Sequence, residues 1–253
     1  MTRLPVPYLR TVRLLSEGLP DGRPYPFDLP WLHDDFELEF IQPVTIIIGE
    51  NGTGKSTLIE ALAALAGYDE AGGDKGYRPV DHSTALAASG SGLADAFRAG
   101  CLPKVTNGWF FRAESFFSVA RYLDDAAREG GGAPPDFLSY SHGEGFVRFF
   151  EERMTRQGIY FMDEPESALS PRRQVDLLRF LSDVQRAGDR QVIMATHSPL
   201  LMALPGAALW QVTRHGFAPL NLHQTPHFRL YSDFITDPAG FLAQALGPQD
   251  TDA

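Results

Sequence analysis

Residues 44–67 read VTIIIGENGTGKSTLIEALAALAG. Val44–Ile48 is an unbroken β-branched, largely apolar run, as expected of a strand buried on both faces of a parallel sheet. It stops at Gly49, and Gly49–Ser56 fits G-x-x-x-x-G-K-[ST]. Thr57–Ala66 then has the composition of a helix. Glycine lets the backbone approach a ligand closely. The N–H groups of Gly49, Asn51, Gly52, Thr53 and Gly54 are therefore expected to converge on phosphate oxygens. The start of the following helix, with Thr57 in its first turn, adds partial positive charge. Lys55 should reach the β and γ phosphates, and the Ser56 hydroxyl should ligate Mg²⁺. The pattern also turns up by chance in unrelated chains. The bland alternative, a glycine-rich turn with an accidental Lys-Ser, does not require a buried strand before it and a helix after it.

The rest of the composition narrows the class. A chain of 253 residues can build a sizeable core as one large or two small domains. Its 43% hydrophobic and 21% charged content is that of a soluble globular protein. No apolar run approaches the roughly 18 residues a membrane span needs. The opening MTRLPVPYLR lacks the apolar stretch of a secretory signal, so a cytoplasmic protein with no integral membrane segment is expected. Cys101 is the only cysteine, which excludes an internal disulfide framework and a Cys-rich metal site. The formal net charge of −10 argues against a general nucleic-acid coat, but not against a local basic groove. An acidic chain that binds an anion must use backbone dipoles and a few placed cations.

Outward from the loop, elements alternate. Leu9–Leu15 and Phe36–Ile41 show the period-2 pattern of strands, separated by a proline-rich loop over Pro20–Pro30. Gly67–Gly76 reads as loop, 81–104 as short helices, Trp109–Phe111 as strand and Ser115–Arg128 as helix. Gly130–Asp136 breaks the chain before a helix over Gly143–Arg156. Ile159–Pro165 is an apolar strand ending in acids. Ser170-Pro171 reads as N-cap and first helical residue of a helix to about Ala187. Gln191–Thr196 is a buried strand. Ala208–Thr213 and Phe217–Leu222 form a hairpin, and the chain from His227 is helical. This order predicts an α/β fold with a mostly parallel core sheet, an N-terminal antiparallel β part and a helical subdomain. A single domain is expected over 1–253. Its core would be formed by about 1–66 and 157–222, its helical part by about 77–156, and its C-terminal helical tail by 223–253.

Asp163 sits at the end of its strand, where one carboxylate can hold a Mg²⁺ shell near the phosphate loop. Glu164 adds more, because a second acid on the γ-phosphate side can deprotonate a water. The bland reading is a solvated Asp-Glu pair opening a turn at Pro165. His197 ends the next strand, on the face where parallel sheets bind ligands. It can donate to a γ-phosphate, although a lone histidine is more often structural.

With these residues in place, the chain resembles an ABC-type ATPase domain of the P-loop class. The motifs fall in the family's order: Gly49–Ser56, then Ser141-His142-Gly143-Glu144, Asp163-Glu164-Pro165, Glu166–Ser170 and His197. The resemblance implies that two copies sandwich two ATP molecules head to tail. It casts Lys55, Glu164 and His197 as catalytic, and Ser56 and Asp163 as Mg²⁺ ligands. Ser141, Gly143 and Glu144 would form a signature acting in trans, and Glu166–Ser170 a dimer-contacting loop. His142 departs from the glycine usual there, and Ser141 to Glu144 also reads as a plain capping box. The family's Mg²⁺-directed glutamine is missing, and Glu114, just past the expected strand at Trp109–Phe111, is the candidate to replace it. Tyr25 lies where members stack an aromatic on adenine; loop packing is the plainer reading.

Glu144 and Asp163–Ser170 look more like the chromosome-maintenance and DNA-repair branch than like transporters. The interval from Ser56 to Ser141 is too short for that branch's coiled-coil arms. The expectation is a compact, stand-alone AAA/ABC ATPase whose ATP-dependent homodimer acts on DNA or a protein partner, with ATP and Mg²⁺ as cofactors. Two alternatives remain open here: the cytosolic ATPase subunit of a membrane transporter, and a nucleotide-gated regulatory module with little turnover.

Overall fold

The β-branched run becomes an inner strand of a mixed α/β fold. The computed structural model describes residues 4–15, 17, 19–69, 72–73, 90–101, 107–113, 116–130 and 142–247, with the side chains of residues 91, 116–120, 122, 126 and 142–144 left aside. In chain order the elements are β1 (Leu9–Leu14), β2 (Glu37–Glu39), β3 (Val44–Ile48), α1 (Lys55–Leu65), α2 (Gly90–Asp95), β4 (Phe97–Cys101) and β5 (Gly108–Arg112). They continue with α3 (Phe116–Glu129), α4 (His142–Arg153), β6 (Gly158–Asp163), α5 (Pro171–Ala187), β7 (Arg190–Ala195) and α6 (Pro199–Met202). The chain closes with β8 (Ala208–Thr213), β9 (Gly216–Pro219), α7 (Pro226–Thr236) and α8 (Pro238–Leu246).

Six strands form the central sheet in the order β5-β6-β7-β3-β8-β9. All neighbours are parallel except the β8–β9 hairpin. Residues on β3 alternate between two cores. Ile47 packs with Leu58, Leu62, Phe161 and Ile193 beneath α1, and Ile46 and Ile48 pack with Val192, Met194 and Leu177 beneath α5. Both faces are covered, which is why β3 and β6 are apolar without alternation. Leu177, Leu181 and Val184 form the buried stripe of α5, at helical spacing. The Ser170 hydroxyl accepts from Arg173 N at the start of that helix, and Gly188 ends it with φ 61°.

A separate antiparallel sheet, β2-β1-β4, lies on the α1 side. Gln191 ties it to the central sheet. Its buried amide accepts from Tyr8 N and Leu9 N at 2.8 Å each and donates to Leu9 O at 2.8 Å. The helices expected over 81–104 are corrected at their C-terminal end. Phe97–Cys101 is a strand, because Phe97 stacks on Phe36 and the backbone completes the edge of β1. Residues 81–89 and most of the 130–136 break lie outside the described residues. On the opposite face, aromatic contacts fasten α4 to β5: Phe111 meets Phe146 at 4.5 Å and Phe150 at 4.7 Å between centroids. Among the described residues no helix is long and apolar enough to cross a membrane.

Candidate nucleotide site

The strand-loop-helix unit has the geometry its sequence demands. Gly54 turns the chain into α1 with φ 82° and ψ 20°, and no side chain caps the helix or puts an acid in its first turn. The first N–H groups of α1 are thus left for an external anion. A Cβ on Gly54 would come within 2.7 Å of Leu29 Cδ2 and 3.3 Å of Trp31 Nε1. Trp31 Nε1 donates to Thr53 O at 2.7 Å, so the proline-rich segment braces the loop from outside. Lys55 is buried and donates to Gly49 O and Glu50 O, each at 3.0 Å. An ammonium has three N–H donors, so one remains for a phosphate. Burial lowers the Lys55 pKa, while the carboxylates of Glu164, Asp163, Glu50 and Glu166 pull the other way.

Asp163 ends β6 and is level with Ala195 on β7, which in turn is level with Ile47 on β3. β7 therefore stands between the phosphate loop and the acidic strand, and the site spans its mouth. Ser56 Oγ donates to Asp163 Oδ1 at 3.0 Å. Burial raises the Asp163 pKa to about 6, opposed by the Arg112 guanidinium and the Ser56 hydrogen bond. Arg112 is the register neighbour of Asp163 on β5 and pairs with Glu60 of α1 at 2.8 Å, both side chains nearly buried. Among the described residues no group of three or more His, Cys, Asp or Glu could hold a metal. One carboxylate and one hydroxyl are still what Mg²⁺ commonly takes from a protein when phosphate and water complete its shell. Ser56 and Asp163 fit that ion.

Glu164 takes the left-handed conformation, φ 46° and ψ 55°, and its N–H donates to Ala195 O at 3.0 Å. Its own carbonyl accepts from Ser167 Oγ at 2.9 Å, within the 3₁₀ turn Pro165–Ala168. The carboxylate thereby turns toward His197, whose Nε2 lies 3.6 Å from Glu164 Oε1, an ion-pair distance too long for a hydrogen bond. His197 is held from two more sides. Its N–H donates to Glu166 Oε1 at 2.5 Å, and its Nδ1 lies 3.2 Å from His227 Nε2. Burial lowers the pKa of both histidines and raises that of Glu166.

The structure therefore brings the phosphate loop, Ser56, Asp163, Glu164 and His197 together at the ends of β3, β6 and β7. Thr57 Oγ1 lies 2.7 Å from Tyr25 Oη, with Tyr25 57% exposed beside the loop. Gly143 and Glu144 fall in the first turn of α4, whereas Ser141 and Glu114 lie outside the described residues. Sequence reasoning missed Arg112, Glu60 and His227. Arg112 carries a faint signal, a cation ending an apolar strand. His227, thirty positions past His197, carries none.

Two family models match this chain: "AAA domain, putative AbiEii toxin, Type IV TA system" over residues 144–203, and "AAA domain" over residues 27–96. Among solved structures, a putative metal-chelate type ABC transporter in an inward-facing conformation is similar at 16% identity and TM-score 0.51, covering 89% of this chain and 88% of that one. The SMC head domain from Thermotoga maritima shows 16% identity, TM-score 0.45, and coverage of 85% and 99%. The cbiO1 protein from Clostridium perfringens, part of the ABC transporter complex cbiONQ, shows 15%, 0.47, and coverage of 94% and 99%. No curated protein matches the sequence. The fold and the loop define a P-loop nucleotide-binding domain. Both family matches are to AAA domains, each over less than a third of the chain.

Proposed function

We propose that this chain binds and hydrolyses Mg-ATP at the site above, in a head-to-tail dimer closed by two ATP molecules, and that closure acts on DNA or a protein partner. The observation that carries this reading is the meeting of Ser56, Asp163, Glu164 and His197 at the ends of three strands, with the Ser56–Asp163 contact at 3.0 Å. The backbone N–H groups of Gly49–Gly54 and the start of α1 hold the β and γ phosphates, with the third Lys55 N–H aimed at them. Mg²⁺, held by Ser56 and Asp163, would neutralise phosphate charge. Glu164 takes a proton from water as the water oxygen bonds to the γ phosphorus. The β–γ bridging P–O bond breaks, and ADP leaves with that electron pair. His197 donates from Nε2 to a γ-phosphate oxygen and orients the water. The Tyr25 ring, exposed beside Thr57, suits adenine stacking.

Closure would bring Ser141, Gly143 and Glu144 of one copy to the γ-phosphate of the other, with Glu166–Ser170 between the copies. Glu114 would approach Mg²⁺ from its own copy. The deciding experiment is the solution mass of Glu164→Gln with and without Mg-ATP over a range of concentrations. Doubling of mass only with ATP is expected. A mass indifferent to bound ATP would overturn the sandwich.

A further inference from the structure

We infer that His227, at the start of α7, is a positioning residue that fixes the tautomer of His197. This rests on the hydrolytic reading above. His197 Nδ1 and His227 Nε2 are 3.2 Å apart, so one nitrogen donates and the other accepts. On the far side of the ring, His197 Nε2 faces Glu164 Oε1 at 3.6 Å. The remaining nitrogen, His227 Nδ1, and His197 Nε2 are both buried without a hydrogen-bond partner among the described residues.

Only two neutral assignments are open. If His197 Nδ1 carries the proton, its Nε2 lone pair points at a carboxylate, and His227 buries an unpaired N–H. If His227 Nε2 carries the proton, His197 presents Nε2–H toward Glu164 and the γ-phosphate side, and only a lone pair is left unpaired on His227. Each assignment leaves one buried N–H without a hydrogen bond, but in the second that N–H faces the Glu164 carboxylate, whereas in the first a lone pair faces it, which is repulsive. The second assignment holds. It also gives His197 the proton its proposed role needs.

His227 is built to stay neutral and in place. Thr225 caps α7 by accepting from Phe228 N, Pro226 follows, and His227 stands in the first turn, where the helix dipole disfavours an imidazolium. Just upstream, Asn221 and Gln224 form a capping box, and Thr225 Oγ1 donates to Leu222 O at 2.8 Å. None of the α7 residues is buried, so substitution at 227 leaves the core intact.

The test compares His227→Phe, which keeps a ring and loses the donor, with His227→Gln, whose amide N can replace Nε2–H. Steady-state ATP hydrolysis and the imidazole ¹⁵N shifts of His197 are read together, with Glu164→Gln and His197→Ala as references. His227→Phe should lower kcat about 10-fold with KM nearly unchanged, as expected for a misplaced catalytic group, and His227→Gln should restore most of it. In the wild type His197 should be protonated at Nε2, and in His227→Phe that preference should be lost. Unchanged kcat and unchanged tautomer in His227→Phe, with both reference variants inactive, would overturn this inference and leave the hydrolytic reading standing. Reference variants that hydrolyse like the wild type would overturn the hydrolytic reading instead, and the ¹⁵N shifts would still decide the tautomer.

Discussion

Ser56 Oγ and Asp163 Oδ1 meet at 3.0 Å across 107 positions of sequence, and this contact joins the two halves of the site. It does not fully offset the burial of the carboxyl, whose pKa rises to about 6 from 3.8. The folded chain thus binds the Asp163 proton more tightly than the unfolded chain. That preference stabilises the fold fully below pH 3.8 and is lost as pH rises through about 6. Above that, the ionised carboxylate leaves the protein less stable by about 3 kcal/mol than a neutral residue there would. In metal-free urea denaturation, Asp163→Asn should gain about 3 kcal/mol over the wild type at pH 8 and about half as much at pH 5. Equal gains at both pH values would show that the carboxyl does not titrate in this way. The same variant should lose Mg-dependent hydrolysis.

The Arg112–Glu60 pair makes a second stability test. Both side chains are 9% exposed, and Arg112 also faces Asp163. Removing one member takes away the 2.8 Å ion-pair partner of the other, at a cost of about 3–5 kcal/mol. Arg112→Met should therefore lower the unfolding midpoint sharply. Arg112→Met combined with Glu60→Met should recover most of the loss, since an apolar pair of similar volume avoids the desolvation. Calorimetry on the three variants and the wild type decides it. A double variant as weak as Arg112→Met alone would contradict this account.

What the sequence made legible follows from how local each signal is. The β3-loop-α1 unit is written in consecutive residues, as are the acids ending β6 and the Ser170-Pro171 cap of α5, and all of these appear in the structure. β4 was misread because residues 97–101, FRAGC, hold small residues and no alternation. Their strand character comes from β1, which is distant in sequence. Arg112, Glu60 and His227 were missed for the same reason: each acts on a partner brought near only by the sheet order. The placement of β7 between β3 and β6 cannot be read from strand periodicity, yet it sets His197 in the middle of the site.

Glu164 carries a cost of position. A residue with a Cβ at φ 46° and ψ 55° is strained by roughly 1–2 kcal/mol relative to glycine. Its side chain is 41% exposed, so little packing is lost on truncation. Glu164→Gly should raise stability by about 1 kcal/mol while reducing turnover by about 10²-fold or more, as expected for loss of a general base. Denaturant midpoints and phosphate release measure the two effects. A variant that is both less stable and fully active would contradict both roles.

Gly54 supports the most stringent test of the loop. Its φ of 82° excludes most side chains at little strain, and an added Cβ would lie 2.7 Å from Leu29 Cδ2. Gly54→Ala therefore combines backbone strain of about 1–2 kcal/mol with overpacking of about 1–3 kcal/mol. Either the Leu29 side chain is displaced within its core, or the loop moves away from Leu29 and Trp31, which would break the Trp31–Thr53 hydrogen bond and misalign the N–H groups for phosphate. Gly54→Ala should lose stability and ATP-induced thermal stabilisation together. Leu29→Ala alone should destabilise through a cavity yet keep the response to ATP. In the double variant the contacts with Leu29 disappear, but the 3.3 Å approach to Trp31 Nε1 and the positive φ remain. The double variant's loss of stability should then be smaller than the sum of the single losses by about 1 kcal/mol or more, while the response to ATP recovers only in part. Strict additivity would mean that the side chains at 29 and 54 never meet, and that the loop is shaped by its own backbone alone.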